Sequence, residues 1–167
     1  RLQDRAFPIA SLDFELSRDE AFLKAQDFAV SMGHDLTDYR GAQTFGYDQA
    51  AQIFLQKTLG LEAFNALVRD WVSVWSWKVR WFKPLQKEEI RINADPGGRI
   101  VQYDHDVMET DVGANLGLEA DRTIANSFVT DVVRFDLSDW EAIESSSEVR
   151  KARTDHTFTL RKRGWKI

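Results

Sequence analysis

Chemistry in a protein needs reactive side chains within a few ångströms of one another, and this chain offers few candidates. Its three histidines are His34, His105 and His156. No two are close in sequence, so a zinc or catalytic constellation would have to be assembled by the fold. Asp104-His105-Asp106 has the composition of a metal cluster. On a strand, however, the imidazole points away from both acids. That triplet, and Asp155-His156 likewise, reads as solvated or partly packed strand. Ser145-Ser146-Ser147 lacks the framing glycines of a nucleophile elbow and reads as a flexible loop. Asp95-Pro96-Gly97-Gly98 has too few oxygen ligands at the required spacing for a calcium loop and reads as a turn. The expectation is no catalytic residue, no cofactor and no metal ligand.

What stands out instead is a stretch that needs to be covered. In VWSWKVRWFKP, residues 74–84, the side chains Trp75, Trp77, Val79 and Trp81 alternate with Ser76, Lys78 and Arg80. That pattern makes a strand with one apolar and one polar face. Each indole can bury about 150–250 Å², so at about 25 cal/mol per Å² three of them offer on the order of 10 kcal/mol of gross burial. The indoles are expected to form a core beneath helices, or to leave part of the face open as a groove for a peptide, a lipid or another sheet edge. Trp75, Trp77, Lys78, Arg80 and Trp81 are therefore the candidate ligand or partner face. Lys78 and Arg80, with Lys83 nearby, would suit an acidic or carboxylate-bearing ligand.

The elements that position this strand can be read in order. Residues 1–10 are a lead-in, and Leu12–Leu16 alternates as a short strand. Ser17 with Glu20 is a capping box opening a helix, whose stripe is Ala21, Ala25, Phe28, Ala29 and Met32. Gly33 supplies its left-handed stop. Asp35–Tyr39 is a turn leading into an extended segment to about Tyr47. Residues 48–59 and 61–70 are two inserted helices broken at Gly60. The first uses Ala51, Phe54, Leu55 and Thr58, the second Leu61, Phe64 and Leu67 or Val68. After the Trp strand, Lys87–Ala94 alternates with Ile90, Ile92 and Ala94 on one face. The turn at Asp95–Gly98 leads to Arg99–Val107, with Val101, Tyr103, His105 and Val107 in phase. The sum is an α+β layer, helices covering one face of an antiparallel sheet.

Composition sets outer limits. The chain has 167 residues, 43% hydrophobic and 29% charged, with six Trp, eleven Phe and no cysteine. It is long enough for one core or two small ones, and disulfides and thiolate metal sites are excluded. The net charge of −5 argues against a nucleic-acid partner. The late basic cluster, Arg150–Lys166, suits a solvated terminal strand. No run approaches the roughly 20 apolar residues of a membrane span. The first residue is Arg1, so the sequence reads as a piece of a longer protein, from which a targeting signal or anchor would be missing.

Shifting the numbering by 100 brings back the first helix. Leu16, Ala25, Phe28, Met32 and Asp35 correspond to Leu116, Ala125, Phe128, Val132 and, with one inserted residue, Asp136. Asp35-Leu36-Thr37-Asp38-Tyr39 corresponds to Asp136-Leu137-Ser138-Asp139-Trp140. The chain thus reads as two related units, residues 1–112 with the inserted helices and 113–167. The second lacks the inserted helices, places His156–Arg161 where the Trp strand would be, and stops before a final hairpin. A sheet short of strands leaves an unpaired edge.

A capped helix, an aromatic strand and the turn Asp95-Pro96-Gly97-Gly98-Arg99-Ile100-Val101 resemble the PepSY-like module, a helix on an antiparallel sheet of PepSY/cystatin type. Residues 77–89 (WKVRWFKPLQKEE) and 153–158 (RTDHTF) resemble the extracytoplasmic region near the N-terminus of bacterial CPBP-family (CAAX-protease-like) intramembrane metalloproteases. The resemblance covers about Leu16 to Ile167. It implies a parent protein with a membrane-embedded protease domain, whose Glu-Glu pair and histidines lie on transmembrane helices. Glu88-Glu89 lies in a strand-like stretch, so protease activity is not expected of this chain. PepSY-like modules are associated with regulating peptidases.

The function expected from all this is a non-catalytic extracytoplasmic sensor, regulatory or peptide-binding module of a membrane-bound protease. Its partner would be the membrane domain of the same chain or a peptide, with no nucleic acid and with membrane tethering only through missing segments. The alternative is a small enzyme or ligand-binding protein of cone-shaped (NTF2-like) α+β type, which requires one continuous sheet with His105 and an acid facing inward. An architectural spacer is the third reading.

Overall fold

A computed structural model describes residues 15–70 and 72–165. The chain is α+β and divides into two compact units, with the boundary between Asp106 and Val107. The sequence reading put that boundary at 112. The segment in between belongs with the second unit because Arg153 reaches back to it, donating from Nη1 to the Met108 carbonyl at 2.9 Å.

In the first unit, α1 (Arg18–Ser31) starts where its sequence says it should. The Ser17 side chain accepts from the Glu20 amide while the Glu20 carboxylate accepts from the Ser17 amide at 2.8 Å, so two otherwise orphaned donors are satisfied. Ala21, Ala25 and Ala29 are fully buried. Side chains this small let the helix axis approach the sheet closely. The short strand expected at Leu12–Leu16 falls largely outside the described residues, and Glu15 and Leu16 are not in a strand.

The sheet is antiparallel in the order β1 (Arg40–Tyr47), β2 (Trp75–Phe82), β3 (Glu89–Ala94), β4 (Ile100–Asp106). α1 packs on β2 and β3. Val79 and Trp81 from β2, Ile90 and Ile92 from β3, and Ala25 and Ala29 from α1 form one buried cluster. Gly41, directly opposite Trp81, has no Cβ because the Phe22 ring, which meets Trp81 at 5.5 Å, occupies that space. In the β3–β4 turn, Asp95 Oδ1 accepts from the Arg99 amide at 2.8 Å, and Gly98 has φ +86°. The phase of β4 differs from the simple alternation. Ala94 pairs with Ile100 and Asn93 with Gln102, so Val101 is the extra residue of a bulge. Ile100 therefore reaches the core and Val101 is exposed.

Between β1 and β2, α2 (Gln49–Asp70) bends at Gly60, whose φ of 77° and ψ of 166° are not helical. That residue is the break read from the sequence. Leu55 and Phe64 from the two arms bury with Val74 and Trp75 as a second cluster. Phe54, placed on the covered side by its spacing, is exposed instead.

The second unit has the same order of helix, turn and antiparallel strands as the start of the first, without a counterpart of α2, β3 or β4 among the described residues. It has α3 (Leu118–Ser127), continued by a π-helical turn over Phe128–Val132, then a short 3-10 turn at Leu137–Asp139 and an antiparallel hairpin of β5 (Trp140–Val149) and β6 (Thr154–Lys162). The turn before the hairpin is built the same way in both units. Asp35 Oδ1 accepts from the Thr37 amide at 3.0 Å, and Asp136 Oδ1 from the Ser138 amide at 2.9 Å. α1 lies on β2 and β3, and α3 lies on β6. Ser145-Ser146-Ser147 is not a loop: it lies within β5, opposite Phe158, Thr157 and His156. Short hydroxyl side chains there leave the ladder intact. With two strands where the first unit has four, no residue of the second is buried as a whole among those described. The described strands form two sheets and not the single continuous one that a cone-shaped fold requires.

The alanine stripe sets a steric limit that can be measured. Ala25→Leu is expected to cost about 1–3 kcal/mol by overpacking the helix–sheet contact. Asp27→Leu on the exposed side of the same helix should change stability by less than about 0.5 kcal/mol. Urea midpoints of the two variants check this.

Candidate functional site

The five residues of the expected ligand face do not share a face. Trp75 and Trp81 are only 4% and 3% exposed and belong to the two cores. Trp77 packs against Phe45 at 4.8 Å, with an indole N–H that is buried and without a partner among the described residues. Alternation then sends Lys78 and Arg80 to the other side. The physical reason is burial: α1 covers Trp81 and α2 covers Trp75, so the open surface is the polar one.

That open face carries a shallow groove of about 550 Å³, within the size range of ligand clefts. Cations gather in it. Arg80 stands directly opposite Arg91, with Lys78 two residues along β2. Like charges set opposite each other on a sheet destabilise it. The arginines are partly compensated. Arg80 lies 3.8 Å from Glu89 and stacks on the Phe82 ring at 4.5 Å, and Arg91 reaches Asp104 at 3.4 Å and Asp106 at 2.8 Å. Asn93 donates to Gln102 at 2.5 Å, and Gln102 to Asp104 at 2.6 Å. Lys78 has no carboxylate partner among the described residues. Its stem runs beside Gly46, where a Cβ would sit 3.6 Å from Lys78 Cε. Ser76, read as part of this polar face, is buried.

Lys83, grouped with these cations in the sequence, lies with the core-side residues. Its ammonium sits 4.3 Å over the Tyr39 ring and 3.8 Å from Glu88 Oε2. Glu88 is the centre of a cluster that no sequence spacing announces. Tyr39 Oη donates to Glu88 Oε1 at 2.6 Å, and His105 Nε2 lies 3.4 Å from the same oxygen. The His105 ring meets His34 edge-on at 4.6 Å, and His34 Nε2 is hydrogen-bonded to Tyr103 Oη at 2.7 Å. Because the β4 bulge puts Tyr103 and His105 opposite Ile92 and Ile90, both point to the helix side. Asp104 and Asp106 point the other way, as the alternation of the triplet implies.

Electrostatics follow the geometry. The Glu88 carboxyl is held below its usual range, first by the Tyr39 hydroxyl. Tyr39 is pushed up to about 12 by burial, then by its bond to Glu88 and that carboxylate's charge. His34 is lowered, first by burial and then by neighbouring His105. Glu88 and Glu89 are split by the strand: Glu88 serves this cluster and Glu89 the open face.

In the second unit His156 plays a binding role of its own. Its side chain is 7% exposed, with Nδ1 2.7 Å from Ser147 Oγ and Nε2 3.4 Å from both Asp121 Oδ2 and the Leu116 carbonyl. These bonds tie β6 to β5, α3 and the segment before it. Asp155, beside it, instead accepts from Arg150 at 2.9 Å and Arg153 at 2.8 Å.

Among the described residues no group of three or more His, Asp or Glu side chains is placed to hold a metal ion. No described helix is long and apolar enough to cross a membrane.

Glu88→Gln removes the charge that Tyr39 faces while keeping a hydrogen-bond acceptor. The Tyr39 pKa is expected to fall from about 12 but to stay above 10, because burial, the larger cause, remains. A titration followed on the Tyr39 ring carbon by NMR reads this directly. An unchanged value would mean that Glu88 does not act on Tyr39.

Compared with known proteins, the chain matches no family model, no curated protein and no solved structure.

Proposed function

We propose that this chain is a non-catalytic binding module, the sensory or regulatory part of a membrane-bound protease on the extracytoplasmic face, and that it takes an extended acidic peptide across the open face of β1–β4. The observation that carries the reading is the Arg80–Arg91 opposition with unpartnered Lys78 beside it. Arg80 and Arg91 have carboxylates within reach in Glu89, Asp104 and Asp106, which leaves the Lys78 ammonium as the uncompensated charge among the described residues of this face. A ligand carboxylate placed between Lys78 and Arg80 would supply the missing charge in charge-assisted hydrogen bonds. The neighbouring amides of Asn93 and Gln102 suit a peptide backbone, which needs both donors and acceptors. The tie to a protease rests on the resemblance of the Trp strand and the Asp95–Val101 turn. The part played by the sheet face rests on its own geometry.

The test is binding of a fluorescein-labelled glutamate-rich peptide, with a lysine-rich peptide of equal length as control, followed by anisotropy. Binding is expected for the acidic peptide alone, weakening as salt rises because the contact is between exposed charges. Lys78→Glu should weaken it at least about tenfold, the equivalent of about 1.4 kcal/mol. Lys57→Glu, on exposed α2, should leave it unchanged. Equal affinity for both peptides, or an unaffected Lys78→Glu variant, would remove the basis of this reading.

A further inference from the structure

The Glu88 cluster sits apart from the open sheet face and joins four pieces of the first unit. His34 follows the end of α1, Tyr39 closes the turn before β1, Lys83 and Glu88 lie between β2 and β3, and Tyr103 and His105 belong to β4. Among the described residues it is where the end of α1 is tied to the sheet by polar side chains and not by alanine packing. We propose that His34 and His105 form a proton-operated latch, which holds the end of α1 and the turn 35–39 on the sheet near neutral pH and releases them in mild acid.

The groups around His34 decide how the latch responds. From β4 it faces the neutral Tyr103 hydroxyl at 2.7 Å and the His105 ring at 4.6 Å. From the β2–β3 connection it feels Glu88, more weakly than it feels His105. Lys83 and Tyr39 contact Glu88 and not His34. Asp35 is engaged by the Thr37 amide at 3.0 Å. Asp104 and Asp106 are on the opposite side of the sheet with Arg91.

His105 has a carboxylate beside it, Glu88 at 3.4 Å. His34 has none of its own among the described residues. Glu88 is already shared among Tyr39, His105 and Lys83, and the nearest ionisable neighbour is another imidazole. Two like charges at contact distance disfavour each other, and burial adds to the cost.

The direction of the effect follows by linkage. A histidine whose folded pKa is lowered binds protons more readily once it is released. Its contribution to the closed state is complete above the ordinary value of about 6.5 and is lost as pH falls below that toward the folded value. Release need not unfold the unit, since helix ends and turns open at far lower free energy than a core. The backbone bonds at stake are His34 N–H to the Ala29 carbonyl at 3.1 Å, Gly33 N–H to the Val30 carbonyl at 2.9 Å and Tyr39 N–H to the Leu36 carbonyl at 3.0 Å. A switch in this range is what an imidazole pair can supply and a carboxylate cannot.

The test uses the 167-residue chain, with imidazole nitrogens followed by NMR and amide protection factors measured between about pH 7.5 and 5.5. The His34 imidazole is expected to titrate below the ordinary imidazole value. Protection at Gly33, His34 and Tyr39 should fall by up to about tenfold for each pH unit below His34's unfolded value, while amides of β2 and β3 keep theirs. His34→Asn should flatten that dependence. His105→Gln, which leaves His34 in place, should move the His34 pKa upward by removing the neighbouring charge. The proposal is overturned if His34 titrates at or above the ordinary imidazole value, if His34→Asn loses protection with pH as the parent does, or if His105→Gln leaves His34 unmoved.

Discussion

The first unit depends on one close contact, three buried alanines of a helix lying on a sheet whose inward side chains are large. Ala21, Ala25 and Ala29 bring the backbone of α1 near enough for Val79, Trp81, Ile90 and Ile92 to be sealed beneath it. A larger residue at any of the three would lift the helix and admit water to the indole. Gly41 serves the same end from the sheet side, leaving room for Phe22 against Trp81. The bent helix α2 then covers the other end of β2, burying Trp75 against Phe64. One very apolar strand thus spans two cores.

Covering one face commits the other. Alternation along β2 and β3 sends Lys78, Arg80, Arg91 and Asn93 to the uncovered side as a direct result of burying the residues between them. The Asn93–Gln102–Asp104–Arg91–Asp106 network holds part of that charge. The region near Lys78 is left in excess.

The two units show what the same local instructions can and cannot build. Helix, aspartate turn and hairpin recur, down to the carboxylate that accepts from the amide two residues on. Both turn aspartates have lowered pKa values, first through the hydroxyl of the residue two on (Thr37, Ser138) and then through its amide. Two strands and one helix do not enclose a side chain fully, however, and the second unit is held by polar ties at its centre. Chief among these are His156 with Ser147 and Asp121, and Asp155 with Arg150 and Arg153.

Much of this was legible in the residues taken in order. The Ser17–Glu20 cap, the alanine stripe, the break at Gly60, the turn at Asp95–Gly98 and the period of the Trp strand are all set by interactions within a few residues. The likeness of the two aspartate turns was legible for the same reason, since it lies within a few residues. What tertiary structure decided is which face each pattern turned to solvent, and which distant residues met. Trp75, Trp77 and Trp81 announce an apolar face in any fold, but only α1 over Trp81 and α2 over Trp75 make those two core and leave Lys78 and Arg80 outside. The bulge at Val101 puts Ile100 and not Val101 on the side of Tyr103 and His105, and simple alternation carries no trace of it. Glu88 meets Tyr39, 49 positions away, and His34 meets Tyr103, 69 positions away. Pairings that far apart depend on strand order and register, which a hydrophobic period of two does not encode.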